Sequence, residues 1–436
     1  MADFEERPKS CRAFCETVVT AAVRYAARYC LNLRPTSETL PPAPDDTPRL
    51  LYIHVPFCHI LCPYCSFHKF PFEETTARRY FRVLRDEMRQ VRALGYRFDA
   101  LYIGGGTTTV LPDELATTVS LARELFGISE VSCESDATHL DALEAGSVDR
   151  LSVGIQSFDD ERLKQIGRYH RFGSARSQYA RVEEAIGRFG IVNVDMIYNY
   201  PGQEEAELLY DLETLLRLRP QQVTFYPLMY APGVAERLKN RWGTLDTQQE
   251  AALYRLIAER MEGTYTQRSS WAWSLKGEGI IDEYVIERSE YVGIGSGAFS
   301  FIGDTLYANT FSLPEYVRLV EGTGRPAVTQ RVSFGRRAIA QYRMMVELFG
   351  MGACTKERLW PEALFLRVCG ACRDGRPTRW GGYLFSAMMR EFYNGMDRVR
   401  ETMRRPLTTA DGKIETDTSD QSEMRRQEKE HPVTEN

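Results

Sequence analysis

Six short apolar runs, interleaved with stretches of helical periodicity, constrain this chain more than any other feature. The runs fall at 50–55, 100–103, 130–134, 150–155, 192–197 and 222–226, and helical patterns occupy 75–94, 112–126, 174–189 and 204–218 between them. Strands that alternate with helices pair in parallel, because a parallel neighbour is reached only by a long crossover, and the crossover helix covers the sheet. Right-handed crossovers would curve such a sheet. The expected fold class is therefore α/β, a partial (β/α)6 barrel. In barrels of this kind the chemistry sits at the carboxyl ends of the strands.

The rest of the chain divides around that repeat. A partly helical preface covers 1–47, the barrel 48–235, a mostly helical domain closing over the barrel mouth 236–404, and a polar tail read as disordered 405–436. The helical domain is interrupted by a glycine-rich stretch, Gly293-Ile-Gly295-Ser-Gly297-Ala-Phe299. In the preface, Phe14, Val18, Ala22, Tyr25 and Tyr29 recur at helical spacing, with Arg12, Arg24 and Arg28 beside them. The stripe is short and weakly apolar, which favours a helix packed on the main domain over one lying on anionic lipid. A net charge of −5 gives no sign of a nucleic-acid partner. The acidic start is no signal peptide, and no apolar run is long enough to cross a bilayer.

The first strand runs into Tyr52-Ile-His-Val-Pro-Phe-Cys58-His-Ile-Leu-Cys62-Pro-Tyr-Cys65, whose three cysteines follow directly after it. Thiolates are soft ligands suited to iron–sulfur clusters, and three of them can hold three irons of a [4Fe-4S] cluster. The fourth iron then stays open to a substrate or cofactor. Such a cluster needs a reducing compartment, so the reading is cytoplasmic, with peripheral contact to a membrane surface left open. Cys369-Gly-Ala-Cys372 is a second candidate, for a metal or a redox disulfide, but no further pair lies near it. Cys11, Cys15 and Cys30 read as packing residues. His54 and His59 lie within the cysteine motif, and His68, just beyond it, reads as lining the loop rather than relaying protons.

The other strand ends carry polar residues. Gly104-Gly105-Gly106-Thr107 follows the second strand, Glu134 the third and Gln156 the fourth; Asp195 lies in the fifth, and Arg168 on a short helix after the fourth. Each alone reads as a turn or a structural hydrogen-bonding residue. Together, beside a cluster, they read as a polar pocket for a nucleoside and an amino acid.

With these pieces in place the chain resembles the radical S-adenosylmethionine (SAM) superfamily, in the branch of oxygen-independent coproporphyrinogen III oxidase. The resemblance rests on the three-cysteine motif, Gly-Gly-Gly-Thr, Leu151-Ser-Val-Gly154-Ile-Gln156-Ser-Phe158, Asp195-Met-Ile-Tyr198 with Pro201, and Gly295-Ser-Gly297-Ala-Phe299-Ser-Phe-Ile-Gly303-Asp304. It implies a cluster on Cys58, Cys62 and Cys65 and two SAM molecules per site. Tyr52, Gly105, Glu134 and Phe299 match contacts to the first SAM. Tyr64, Gly106, Thr107, Gln156, Arg168 and Asp195 match contacts to the second. It also implies a one-electron donor such as flavodoxin or ferredoxin.

Two departures narrow the resemblance. Coproporphyrinogen oxidases carry a further cysteine where this chain has Phe67. Haem chaperones of the branch carry an H-N-x-x-Y-W motif where this chain reads Trp271-Ala-Trp273-Ser-Leu-Lys276, without histidine. What remains is similar to the class C radical SAM methyltransferases, and within them to the menaquinone C8-methyltransferases, through Cys65-Ser-Phe67-His68 and Tyr307-Ala-Asn309-Thr-Phe311. The function expected on this resemblance is methylation of an sp2 carbon of an apolar aromatic, the naphthoquinone ring of menaquinone. The alternative is a tetrapyrrole-acting enzyme or a haem chaperone.

Overall fold

The apolar runs form strands β1 (Arg49–Val55), β2 (Phe98–Gly105), β3 (Glu130–Asp136), β4 (Arg150–Gln156), β5 (Ile191–Tyr198) and β6 (Gln222–Pro227) in the computed structural model. The structure describes residues 8–144, 146–230, 232–275, 286, 288–353 and 359–404; the tail at 405–436 lies outside them. The six strands pair in sequence order, all in parallel. Most of their residues are buried, which is why they read as continuous apolar runs rather than as alternation.

The helices are α1 (Lys9–Cys30), α2 (Glu74–Ala93), α3 (Pro112–Phe126), α4 (Asp160–Gln165), α5 (Tyr169–Phe172), α6 (Ala175–Ile186) and α7 (Glu205–Leu218), then α8 (Ala235–Trp242), α9 (Thr247–Met261), α10 (Leu313–Thr323), α11 (Arg336–Phe349), α12 (Trp360–Val368) and α13 (Arg379–Arg404). Local chemistry sets their ends. The Glu73 carboxylate accepts from the backbone N–H groups of Thr75 and Thr76 and starts α2. Pro112 opens α3, and Gly127, at φ 71°, ends it.

The segment after 236 carries the expected helices and also strands the sequence reading does not anticipate: β7 (Tyr265–Gln267), β8 (Ala272–Leu275), β9 (Tyr291–Ile294), β10 (Phe299–Ile302), β11 (Thr305–Asn309) and β12 (Val328–Ser333). They widen the sheet at both edges. β9 runs parallel to β1, with Tyr291 opposite Leu50, and β10, β11 and β12 follow antiparallel. At the other edge β8 pairs antiparallel with β6, and β7 with β8. β9 and β10 are four residues each and wholly buried. A run that short and that buried has neither an alternation nor a length that separates strand from helix.

Glu87 of α2 explains the glycine-rich stretch. It is fully buried, and its carboxylate accepts from the N–H groups of Gly295 (2.7 Å) and Ala327 (2.9 Å), from Asn309 Nδ2 (2.9 Å) and from the Tyr316 hydroxyl (2.7 Å). Burial raises its pKa, and these donors oppose the rise. The loop is thereby pinned to the barrel. Gly295, at φ 99°, has no room for a side chain: a Cβ would stand 2.5 Å from the Tyr80 hydroxyl.

The preface packs as a helix, but through the face opposite to the one its pattern suggests. α1 buries Cys15, Val19, Thr20 and Ala27 and lies against α13. Their close approach uses small residues, since a Cβ on Gly395 would meet the Ala27 methyl at 2.6 Å. The apolar stripe of Phe14, Val18, Ala22, Tyr25 and Tyr29 stands exposed. A disulfide joins Cys15 to Cys369 at the end of α12. Cys15 is thus a cross-link rather than a packing residue, and Cys369 pairs with it rather than with Cys372.

Candidate active site

The cysteine loop leaves β1 and runs against the end of β2, where the Gly106 and Thr107 N–H groups donate to the Val55 and Phe57 carbonyls. Phe57–Cys58 pairs with Phe70–Pro71 and closes the loop into a cradle. The cradle is clamped by Lys69, whose ammonium donates to the carbonyls of Cys62 (2.9 Å) and Cys65 (3.1 Å). From the α13 side Arg404 donates to the Ser66 carbonyl at 2.7 Å. The glycine triplet lets the loop come close. A Cβ on Gly106 would stand 2.4 Å from the Phe57 carbonyl oxygen and 2.9 Å from Cys58 Sγ. Gly105, at φ 118°, would press a Cβ to 2.7 Å from the His54 ring.

The three thiols fit an iron–sulfur cluster. Burial, then the neighbouring Cys65, push the Cys58 thiol up to about 12, so a thiolate there calls for a cation. Among the described residues no three Cys, His, Asp or Glu side chains converge on a single metal ion. A cube of iron and sulfur needs no such point, since it offers a separate iron to each thiolate.

The polar residues gather around this loop. Glu134 accepts from the Gly105 N–H (3.0 Å) and the Tyr102 hydroxyl (2.9 Å). The half-buried Asp195 carboxylate accepts from Ser152 Oγ (2.9 Å) and Asn193 Nδ2 (2.7 Å), so this carboxylate on a barrel strand is hydrogen-bonded. The pairing of β4 with β5 slips between Gly154 and Gln156, and Gln156 takes φ 78°, a left-handed conformation uncommon outside glycine. The slip brings Gln156 to the cavity wall.

Arg168 lies just before α5, nearly buried, with its guanidinium over the Phe172 ring. Nη2 donates to the Gly154 carbonyl at 2.6 Å and Nη1 reaches Cys62 Sγ at 3.7 Å. Its Nε is buried without a partner. A buried orphan donor on a cation fits an anionic ligand group such as the carboxylate of an amino acid.

One cavity of about 940 Å³ contains every residue the sequence reading assigns: Cys58, Cys62 and Cys65, then Tyr52, Gly105, Glu134 and Phe299, then Tyr64, Gly106, Thr107, Gln156, Arg168 and Asp195. Around the cysteine loop its lining includes the polar Glu134, Asp136, Gln156, Arg168 and Asp195. Another part of its wall is apolar, made by Phe301, Tyr342, Met345, Met389, Phe392 and Met396, and Val18, Val19 and Ala22 of α1 line it too. The two histidines of its wall are engaged. His54 meets the Tyr52 hydroxyl through Nδ1 and the His68 carbonyl through Nε2, each at 2.9 Å. Burial lowers its pKa to about 4. His68 Nε2 lies 3.2 Å from Ser296 Oγ, with its ring against Phe311, which fits the lining role expected of it.

Some site residues escape sequence reasoning. Lys69 and Arg404 act through backbone carbonyls, and neither carries a motif. Asp136 and His139 form a pair beside Thr107, with His139 Nδ1 2.8 Å from the Asp136 carboxylate. Burial raises Asp136, but the His139 and Thr138 contacts outweigh it and bring it to about 2. Their spacing of three residues, from the last residue of β3 into the loop after it, was the available signal.

Comparison with known proteins agrees with this geometry. Residues 52–215 match the radical SAM superfamily. The heme chaperone HemW of Bacillus subtilis (strain 168) is 29% identical over 292 residues, 63% of this chain and 76% of that protein. The oxygen-independent coproporphyrinogen III oxidase of Paracoccus denitrificans (strain Pd 1222) is 32% identical over 202 residues, 43% of this chain and 44% of that protein. Among solved structures, coproporphyrinogen III oxidase from Escherichia coli superposes with a TM-score of 0.59 at 21% identity, over 74% of this chain and 79% of that one, a likeness of fold. Residues 52–215, with the thiol cradle at the strand ends, are thus a radical SAM domain, and the curated proteins this chain is similar to include HemW and coproporphyrinogen III oxidase.

Proposed function

We propose that this protein is a C-methyltransferase that uses two SAM molecules to methylate an sp2 carbon of an apolar aromatic ring, of the naphthoquinone class found in menaquinone. The observation that carries the reading is one cavity whose wall joins the cysteines and a set of polar residues to a broad apolar surface. Cys58, Cys62 and Cys65 would hold a [4Fe-4S] cluster, which supplies the electron for reductive cleavage of SAM when charged by an external donor such as flavodoxin or ferredoxin. Tyr52, Gly105, Glu134 and Phe299 would hold the SAM beside it. Tyr64, Gly106, Thr107, Gln156, Arg168 and Asp195 would hold the second, Arg168 against its carboxylate. The chain's own work is to orient these reactants and exclude water. In this reading 48–235 houses the chemistry and 236–404 covers the ring.

The relatives favour a second reading, a tetrapyrrole-acting enzyme or a haem chaperone, since they are HemW and coproporphyrinogen III oxidase. Against it stand Phe67 in place of a fourth cysteine and the histidine-free Trp271-Ala-Trp273. One anaerobic experiment separates the two. The reconstituted protein receives SAM and reductant with a naphthoquinone, with coproporphyrinogen III, or with haem. The first reading expects a methylated quinone, unchanged porphyrinogen and no stoichiometric Soret shift. Porphyrinogen decarboxylation, or a haem complex at one per chain with no methylated quinone, would replace it with the second.

A further inference from the structure

Large apolar side chains stand exposed on two helices, α1 and α12. On α1, Phe14, Tyr25 and Tyr29 are 64%, 66% and 61% exposed; on α12, Trp360, Leu364 and Val368 are 67%, 51% and 59% exposed. The α12 residues are four apart and share one face. The Cys15–Cys369 disulfide ties the two helices together. Large side chains left in water in this number are unusual on a protein that meets only solvent.

The patch adjoins the cavity. Val18 and Ala22 belong both to the stripe and to the cavity wall, and Pro361, next to Trp360, lines the same cavity. Charge indicates what covers it. α1 carries Lys9, Arg12, Arg24 and Arg28 against the one acid Glu16, although the whole chain is −5; Glu16 is turned inward to Tyr383 and Arg24 is paired with Glu391 of α13, so the positive charge of the face comes from Lys9, Arg12 and Arg28. Aromatic side chains interleaved with arginines on a helix lying flat are the composition that binds an anionic bilayer surface.

We infer that α1 and α12 form a docking face for an anionic lipid bilayer and set the apolar part of the cavity against the lipid. The docking face stands on the exposed residues alone. Only the further step, that a lipid-dissolved ring enters there, rests on the function proposed above.

The test is flotation of the full reconstituted protein with phosphatidylcholine vesicles, with and without added phosphatidylglycerol, in the absence of SAM and reductant. Trp360 is a built-in reporter, since Trp242, Trp271, Trp273 and Trp380 are buried. Its emission should shift to the blue with anionic vesicles and far less with neutral ones. The variant Phe14→Ser/Tyr25→Ser/Tyr29→Ser removes only exposed groups, and its partition should fall by about tenfold or more. Protein that stays in the soluble fraction, Trp360 emission that does not move, or a variant that floats like the parent would each overturn the inference. So would a parent dimer that the variant converts to monomer without any vesicle binding, because the stripe would then be a self-interface. Vesicle binding without quinone methylation would leave the docking face standing and sink only the function.

Discussion

Gly106 is the residue at which sequence, packing and chemistry meet. Its absent side chain lets the cysteine loop approach β2, and no other residue fits between the Phe57 carbonyl and Cys58. Gly106→Ala should therefore lower iron and sulfide per chain after anaerobic reconstitution, as should alanine at Cys58, Cys62 or Cys65. Full loading and SAM cleavage in Gly106→Ala would show that the loop moves freely. Asp195 allows a sharper test of two SAM sites. It stands on β5, held by Ser152 and Asn193. Losing a hydrogen bond to a charged group costs about 1.5–3 kcal/mol, roughly tenfold to a hundredfold in occupancy. Asp195→Ala should lose product methylation by about that factor while 5′-deoxyadenosine still forms. Equal loss of both would place Asp195 outside a separate second site. These residues were legible because each is fixed to a strand end, where neighbours in space are the next strand's end. Glu87 and Arg404 were not, because each acts across a long separation: Glu87 meets Gly295 from 208 residues away and Arg404 meets Ser66 from 338; Lys69 was not, because it acts on nearby backbone carbonyls, which leave no residue pattern to read.

At the scale of elements, β1 to β6 were legible to within a few residues, because buried parallel strands bounded by turns leave a strong apolar signal. β9 and β10 left none, being short and buried on both faces. The stripe on α1 was read correctly as a pattern and assigned to the wrong surroundings, since periodicity gives a face but not what the face meets. The tie between β4 and α7 yields a pH prediction. Asp211 of α7 accepts from the Phe158 N–H at 2.6 Å and from Ser157 Oγ, just past β4. Burial, against those bonds, raises it to about 7. The unfolded carboxyl titrates near 3.8, so between roughly pH 4 and 7 the folded state holds the extra proton. Its contribution to stability is full below about pH 4 and is lost as pH rises through 7, with a slope of at most about 1.4 kcal/mol per pH unit. Asp211→Asn keeps an acceptor for Phe158 without the charge. Its melting temperature should gain on the parent as pH rises from 4 to 8. A difference that stays constant over that range would contradict the assignment.

For the whole molecule, the account is one cavity that joins a thiol cradle, a polar lining and an apolar wall to which α1 and α12 contribute. The sequence carried the first two through spacing at strand ends. The apolar wall was not legible, because it is assembled from β10, α11, α12 and α13, distant in sequence and recognisable only once packed. The choice between a quinone and a tetrapyrrole lies in that wall. The most direct measurement is mass spectrometry of the naphthoquinone recovered after anaerobic turnover with SAM deuterated in its methyl group. The account predicts a product one methyl heavier, keeping two of the three labelled hydrogens, formed together with 5′-deoxyadenosine. Recovery of all three labelled hydrogens in the product methyl, or of unmethylated quinone beside continuing SAM cleavage, would contradict it.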